Sequence, residues 1–308
     1  MLNDAPVIIL SYNRPEKTKK LIKNLRFARP KKIIFSVDGP KTERADDLKK
    51  VLEVQKSAEL IDWTDDVTTV FRSSNLGLRF AVPSAITLGV ETYGQAIVLE
   101  DDLEISESFL PFCNWALNEF RADASIMHIN GYSAVPISKL SRPDEMLRAS
   151  AFPQSFGWAT WARAWGAYDD SMEWFSSGGL KVLNKKFQDP VKALHWWMIL
   201  ENVRSGRISS WAYRWIQSVW QTGGASVSPN KSLVRNLGYD DGSHNLTKPS
   251  WKEPDLADLE SSTLPNSKPN FDKIAEEWVS KVQNRNTLLG LFREFGVAAI
   301  RSLFPDRS

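Results

Sequence analysis

Short apolar runs alternate with amphipathic stretches over the first half of the chain. Five of these runs have the length and composition of strands buried on both faces, at residues 6–12, 32–38, 66–72, 95–101 and 125–131. The stretches between them have apolar positions at helical spacing, beginning at Pro15 and continuing over residues 43–60, 78–91 and 106–121. Strands separated by helices pair in parallel through crossover connections. We therefore predict an α/β fold, with a Rossmann-like, doubly wound and mostly parallel sheet.

The second half of the chain has a different pattern, because tryptophan is concentrated there. Residues 152–221 predict helices or irregular segments, with helices at 190–205 and 211–222 and a short strand at 225–227. Further along, residues 246–268 are rich in proline and serine. Two helical patterns follow, at residues 271–283 and 286–304. These patterns divide the chain into one domain over residues 1–245 and a linker with carboxyl-terminal amphipathic helices over residues 246–308.

Polar residues gather where the predicted strands end. The candidate ligand-binding residues at these ends are Ser11, Asn13, Arg14, Asp38, Asn75, Arg79, Glu100, Asp101 and Asp102. In open α/β sheets, ligands bind beyond the carboxyl ends of the strands, so four strand ends with polar residues indicate a binding site. Each group also has a simpler interpretation, since Asp-Gly pairs form ordinary turns and a lone arginine is often solvated.

The acidic triplet Glu100-Asp101-Asp102 is the most distinctive of these groups. Neighbouring carboxylates repel one another, and a hard divalent ion such as Mn²⁺ or Mg²⁺ compensates that charge through oxygen ligands. A solvated acidic turn that caps the following helix is the alternative. The position of the triplet directly after a buried strand favours the metal interpretation.

Composition and charge narrow the classes of partner and site. Lys+Arg 39 against Asp+Glu 37 gives a net charge of +2, which does not favour nucleic acid as a partner. The single cysteine, Cys113, excludes an internal disulfide framework, and three histidines are too few for a multi-histidine zinc site. The amino end lacks the pattern of a secretory signal, and no apolar run reaches the ~18 residues of a membrane span, so we expect a cytoplasmic protein.

The string VLEDDLEISESFLPF, residues 98–112, resembles the signature of metal-dependent nucleotide-sugar glycosyltransferases of the GT-A fold. It looks most like the β-1,2-N-acetylglucosaminyltransferases and their bacterial relatives. The likeness continues through SYNRP at 11–15, SVDG at 36–39, FPQSFGWATWARAWG at 152–166, SSWAYRW at 209–215 and PNKSLVRNLG at 229–238. It covers roughly residues 5–245 in the same order.

This resemblance implies roles for individual residues. Asp102 would bind Mn²⁺ or Mg²⁺ against the donor diphosphate, with Glu100 and Asp101 on the donor sugar or ribose. Arg14 and Asp38 would hold the nucleotide base and ribose, and the other strand-end residues would belong to the same donor side. Gly157 and Trp158 would line the sugar and acceptor side. His244 would lie in a loop that closes over the diphosphate. A solvated loop histidine remains the alternative for His244.

One departure from the family pattern concerns the catalytic base. The family usually has Trp-Asp before an aromatic-rich helix, and this chain has Trp211-Ala212. The missing aspartate would deprotonate the acceptor hydroxyl, which alanine cannot do. Three explanations stay open: an engineered Asp-to-Ala substitution, a lost activity, or another carboxylate as base, for which the candidates are Asp169, Asp170, Glu173, Asp240 and Asp241.

The tryptophans and the carboxyl end each have two interpretations. Most tryptophans in the second half are expected in the core, because pairs such as Trp161 and Trp165 share a helix face, while one or two could stack on a sugar. Residues 286–304 combine an apolar face with arginines. Such a helix can lie in a membrane interface, or it can pack on the domain or on a second subunit.

The resemblance thus implies an inverting, metal-dependent glycosyltransferase, with a UDP-sugar as the favoured donor and a glycan or glycolipid hydroxyl as acceptor. A cell-surface polysaccharide or lipopolysaccharide pathway, on or near the inner membrane, would suit such an enzyme. The alternatives are a non-catalytic sugar-nucleotide or glycan-binding protein, favoured by Ala212, and a metal-dependent phosphohydrolase. A dinucleotide-dependent dehydrogenase is disfavoured, because no G-x-G-x-x-G follows the first strand.

Overall fold

The structure, a computed structural model, describes residues 4–238, 249, 251–259, 264 and 268–285. Within them the strands are β1 (Val7–Ser11), β2 (Ile33–Val37), β3 (Val67–Phe71), β4 (Gln95–Glu100), β5 (Leu103–Ile105), β6 (Ile126–Asn130), β7 (Leu147–Ser150), β8 (Trp158–Trp161), β9 (Ala225–Pro229) and β10 (Val234–Asn236). The α-helices are α1 (Pro15–Ala28), α2 (Asp47–Lys56), α3 (Leu78–Tyr93), α4 (Phe109–Glu119), α5 (Ala162–Trp165), α6 (Glu173–Phe187), α7 (Pro190–Arg204), α8 (Ala212–Gln221) and α9 (Lys273–Trp278). Single turns of 3₁₀-helix cover Ser57–Leu60 and Ile137–Lys139, and a π-helical turn covers Val279–Gln283.

The main sheet has eight strands in the order β3-β2-β1-β4-β8-β6-β9-β7, and β5 and β10 form a separate antiparallel pair. The first four strands in this order pair in parallel, as the alternating pattern predicts, so the α/β class and the mostly parallel sheet are confirmed. β8 runs antiparallel to both of its neighbours, β4 and β6, and β7 runs antiparallel to β9. The carboxyl ends of β1, β2 and β4 therefore lie at one edge of the sheet.

The core forms where the apolar runs predict it. Every residue of β1 and β2 is buried, and Leu21, Ile22 and Leu25 of α1, which are spaced to share one helix face, belong to the same hydrophobic core. Pro15 begins this helix at a position where its missing N–H is not needed. Rigid packing of this kind fixes the positions of the loops that leave the strand ends.

The prediction of only helices or irregular segments over residues 152–221 is wrong in one respect. β8 lies within this region and occupies the centre of the sheet, with all four of its residues buried. A strand of four buried residues has no polar alternation, and its Trp–Ala–Thr–Trp sequence fits a helical face as well as a strand. The helices predicted at 190–205 and 211–222 are confirmed as α7 and α8.

The described part of the carboxyl-terminal segment packs against β7. The backbone N–H of Ala149 donates to the carbonyl of Asn270 at 2.9 Å, and the N–H of Ala151 donates to Glu276 Oε2 at 2.9 Å. Asp272 caps α9 by accepting hydrogen bonds from two backbone N–H groups of its first turn. His244, Asp240, Asp241 and residues 286–304 lie outside the described residues. Where the chain is described, every helix is too short or too polar to cross a bilayer.

Candidate functional site

The acidic triplet turns away from the sheet edge and is held in place on both sides. β4 delivers Glu100 to the edge, and Asp101 and Asp102 form the turn into β5, each with less than a tenth of its surface exposed. The antiparallel pairing of β5 with β10 brings Leu237 over this turn, where its N–H donates to the carbonyl of Asp102 at 2.7 Å. Lys17 of α1 donates to the carbonyl of Leu237 at 3.0 Å. Segments far apart in sequence thus meet at the triplet.

Arg14 supplies the positive charge next to these carboxylates. Its Nη1 lies 2.7 Å from Asp102 Oδ2 and 3.4 Å from Asp101 Oδ1. Burial lowers the pKa of the Arg14 guanidinium, but the two carboxylates outweigh it, so that the pKa lies above its usual value. The structure therefore brings Arg14, which follows β1, together with the acidic triplet, as their positions at strand ends predict.

One guanidinium does not balance the triplet. Burial, followed by repulsion from Asp102, raises the pKa of Glu100 to about 8 and the pKa of Asp101 to about 7. Arg14 opposes both shifts without cancelling them. Such raised values mean that the site is stabilised by a bound proton or by an additional cation.

The donor chemistry of this turn fits a hard divalent ion. Among the residues that the structure describes, no three histidine, cysteine, aspartate or glutamate side chains form a group that could hold a metal by themselves. Mg²⁺ commonly binds through one or two carboxylates, with phosphate oxygens and water completing its coordination. Asp102 and Asp101 provide carboxylates of that kind at a sheet edge, so the residues present fit a metal that a phosphate ligand helps to hold.

At the ends of β2 and β3, the predicted ligand residues bond to one another. Asp38 accepts four hydrogen bonds, from the backbone N–H groups of Gly39, Leu76 and Gly77 and from Asn75 Nδ2, at 2.9 to 3.1 Å. A Cβ on Gly39 would lie 2.3 Å from the backbone of Ser74, so only glycine allows the two loops to approach this closely. Asp38 and Asn75 therefore shape the loop beside the sheet edge.

A second buried carboxylate, Asp47, organises the end of β1. It accepts hydrogen bonds from Tyr12 Oη, from Asn13 Nδ2 at 2.5 Å and from the backbone N–H of Lys41 at 2.7 Å. Burial raises the pKa of Asp47, but these donors outweigh it and leave the pKa lowered. No pattern in the sequence marks Asp47, because it lies in a charged helix that has many exposed side chains. Ser11 is also nearly buried, with Thr18 Oγ1 3.4 Å from its hydroxyl.

Arg79 pairs with a carboxylate outside the triplet in this structure. It forms a two-point ion pair with Asp170, at 3.1 and 2.7 Å, and Arg214 Nε lies 3.0 Å from the same carboxylate. Asp169 accepts hydrogen bonds from the backbone N–H groups of Met172 and Glu173. Two of the carboxylates considered as alternative bases are therefore engaged in local structure.

A cavity of about 410 Å³ brings Glu100 of the triplet together with Ala212 of α8. One third of its lining residues are aromatic, namely Phe152, Phe156, Trp196, Trp211 and Tyr213. Neutral polar side chains complete it, among them Gln154, Ser155, Ser209, Ser210 and Asn284. A pocket with apolar walls and a few convergent polar groups is the typical form of a small-ligand site.

The residues next to the cavity form an aromatic stack. Trp158 is fully buried and stacks on Trp211 at 5.5 Å and on the ring of His128 at 4.6 Å. Gly157, with φ +62°, accepts a hydrogen bond from Gly131 N at 2.7 Å. The structure thus places the Trp158 side chain behind the cavity wall, and the preceding residues, 152–156, line the cavity.

His128 connects this stack to the cavity. Trp215 Nε1 donates to His128 Nδ1 at 3.0 Å, and His128 Nε2 donates to the carbonyl of Gln154 at 3.0 Å. Burial lowers the pKa of His128 to about 3, so the ring is neutral and carries its proton on Nε2. No local sequence pattern marks His128, Gln154 or Asn284, because only contacts between distant segments give them a role.

Comparison with known proteins leaves the family of this chain open. No protein-family model matches it, and no curated protein is significantly similar to it. The function must therefore be argued from the residues and the geometry of the site.

Proposed function

We propose that this protein is a glycosyltransferase of the GT-A type, which transfers a sugar from a nucleoside diphosphate to a hydroxyl group of a glycan or glycolipid. The observation that carries this proposal is the shared cavity of Glu100 and Ala212. These two residues lie 112 positions apart, and the motif resemblance assigns one to the donor side and the other to the position of the base. One cavity could therefore hold both reacting groups.

The donor diphosphate belongs at the acidic turn. Asp102, next to Arg14, would hold Mn²⁺ or Mg²⁺ together with the phosphate oxygens, and Arg14 provides a guanidinium at the same place. The metal would stabilise the negative charge that develops on the departing diphosphate. The raised pKa values of Glu100 and Asp101 support this assignment, because they reflect uncompensated negative charge where a cation would bind.

The acceptor belongs in the aromatic part of the cavity. Phe156 and Tyr213 are partly buried and line its wall, where aromatic rings can pack on the C–H faces of a sugar. Serine hydroxyls at positions 209 and 210 add polar contacts on the same wall. Such a lining suits a saccharide better than a fully apolar ligand.

The base of the proposed inverting reaction is the open part of the mechanism. Ala212, at the start of α8, has no group that accepts a proton. Glu100 is the one carboxylate among the described residues that line the cavity. An engineered Ala212, a base supplied by another carboxylate and a lost activity remain the three explanations, and they differ in what an aspartate at position 212 would do.

The donor assignment is tested by titrating UDP into the protein in a calorimeter, with and without Mn²⁺. We expect Mn²⁺ to strengthen UDP binding, and we expect Asp102→Asn to remove that gain while a control variant, Asp65→Asn, retains it. Asp65 is an exposed carboxylate that precedes β3. Equal UDP affinity with and without Mn²⁺ in the unmodified protein would refute the metal-dependent donor site.

A non-catalytic sugar-nucleotide-binding protein is the second candidate, and Ala212 is the observation that favours it. Incubation with UDP-sugars and glycan acceptors separates the two functions, because a binding protein would bind UDP with Mn²⁺ and release no UDP from the donor. Release of UDP in the absence of any acceptor, at an unchanged rate when acceptor is added, would instead indicate a hydrolase.

A further inference from the structure

The carboxyl-terminal segment contributes a residue to the wall of the cavity. Asn284 directly follows the π-helical turn Val279–Gln283 and lines the cavity together with Trp196 and Tyr213. Its Nδ2 is buried and has no hydrogen-bond partner among the described residues. Buried donors in proteins are nearly always satisfied, so an unmade bond at a cavity wall points to a ligand.

A second buried hydrogen-bond donor without a partner lies in the same wall of the cavity. Trp196, of α7, is 1% exposed, and its Nε1 also lacks a partner within the part of the chain that the structure describes. Both groups are hydrogen-bond donors, because an indole N–H and a carboxamide NH₂ cannot accept. A ligand that satisfies them must present hydrogen-bond acceptors, which oxygen atoms of a sugar provide.

The turn that carries Asn284 is held firmly against the cavity. Gln283 Nε2 donates to Gln154 Oε1 at 2.7 Å, and the backbone of Gln154 is itself fixed by His128 and by Asn130 Oδ1, the latter at 2.8 Å. The backbone N–H of Asn284 donates to the carbonyl of Val279 at 2.9 Å. The backbone that carries the Asn284 side chain is therefore fixed, which reduces the entropy lost when a ligand binds.

The charge of the lining restricts the kind of ligand. No lysine, arginine or histidine is among the described residues that line the cavity, and its one carboxylate is Glu100. A sugar acid would place its carboxylate near Glu100 without a cation to compensate it. A neutral sugar, with hydroxyl or acetamido oxygens, matches both the two donors and the aromatic walls.

We propose that Asn284 is a specificity-determining residue of the acceptor subsite, and that its Nδ2 donates a hydrogen bond to an oxygen of a neutral acceptor saccharide. This inference rests on the proposed glycosyltransferase function, because it assigns the acceptor of that reaction. The carboxyl-terminal segment then belongs to the acceptor-binding machinery, although it follows the stretch that the sequence pattern predicts as a linker.

The test measures saccharide binding without donor, so that it does not depend on turnover. Tryptophan fluorescence and ligand-observed NMR follow the binding of methyl glucoside, methyl N-acetylglucosaminide, methyl mannoside and methyl glucuronide. The test variant is Asn284→Asp, which keeps the shape and removes the NH₂ donor, and Asn284→Ala is a second variant. The control is Asn118→Asp, an exposed residue of α4 that lies outside the cavity lining.

We expect at least one neutral glycoside to bind more tightly than the glucuronide, and both Asn284 variants to weaken it by roughly tenfold, as the loss of one hydrogen bond would. UDP affinity with Mn²⁺ should stay unchanged in Asn284→Ala and in the control. Equal glycoside affinity in the Asn284 variants, preference for the glucuronide, or no glycoside binding beside intact UDP binding would each overturn this inference and leave the donor site standing. If the unmodified protein did not bind UDP, that result would instead overturn the proposed function.

Discussion

At the scale of single residues, the candidate site has clustered carboxyl groups on the side of the acidic triplet. It has no group that could act as a base at position 212. Glu100 lies in the lining with a pKa raised to about 8, chiefly by burial, while position 212 carries a methyl group. Asp169 and Asp170, which are closer to α8 in sequence, already bond to backbone N–H groups or to arginines. For the proposed transfer reaction, position 212 is therefore the place where a base is missing.

We predict that Ala212→Asp increases glycosyl transfer. A carboxylate at the start of α8 would face the same cavity as Glu100 and could take the proton of the acceptor hydroxyl, an effect that is typically worth ~10²–10⁴-fold in rate. Initial rates of UDP release with donor and acceptor measure the gain. Ala212→Asn is the matched control, because it has the same shape and is not basic, and equal rates in the two variants would contradict a base role at this position.

At the scale of elements, β6 and α8 are joined through one neutral histidine. His128 stacks on Trp158 and accepts from Trp215, so a change at the ring would reach Trp211 and the start of α8. The carbonyl of Gln154 accepts the ring's remaining proton. Protonation of His128 would turn Nδ1 from an acceptor into a donor that faces another N–H group.

This arrangement predicts a specific dependence of stability on pH. Because burial lowers the pKa of His128 to about 3 in the folded protein, against ~6.5 when unfolded, the unfolded state binds one more proton between these values. The contribution is fully present above pH ~6.5 and is lost as the pH falls towards 3. Urea unfolding at several pH values should show a slope that is smaller by about 1.4 kcal/mol per pH unit in His128→Gln. An NMR titration of the folded protein in which His128 protonates near pH 6.5 would contradict the prediction.

The same elements show what the sequence pattern can and cannot predict. β1 and β2 are apolar runs buried on both faces, and their ends carry the residues that organise the sheet edge, so both features are visible in sequence. β8 is short and uniformly buried, so periodicity cannot identify it. Asp47, Gln154 and Asn284 acquire their roles only through contacts with distant segments, and no local pattern marks them.

At the scale of the whole molecule, the site forms where the two halves of the chain meet. The first half provides Arg14 and the acidic triplet, and the second half provides α8 and the strand β10. The end of β10 leads to Gly238, which lies against the side chain of Asp102. This contact joins the acidic turn to the end of the described stretch that follows β10.

We predict that Gly238→Ala disrupts the donor site and leaves the fold intact. A Cβ at this position would lie 2.3 Å from Asp102 Oδ2, so the carboxylate or the chain must move, and Asp102 would lose its position next to Arg14. The expected result is Mn²⁺-dependent UDP binding weakened by at least roughly tenfold, with an unchanged circular dichroism spectrum. Gly166→Ala is the matched control, because its nearest neighbour lies at an ordinary 3.4 Å. Since residues 102 and 238 belong to different halves, unaltered UDP affinity in Gly238→Ala would mean that the donor site does not need their contact.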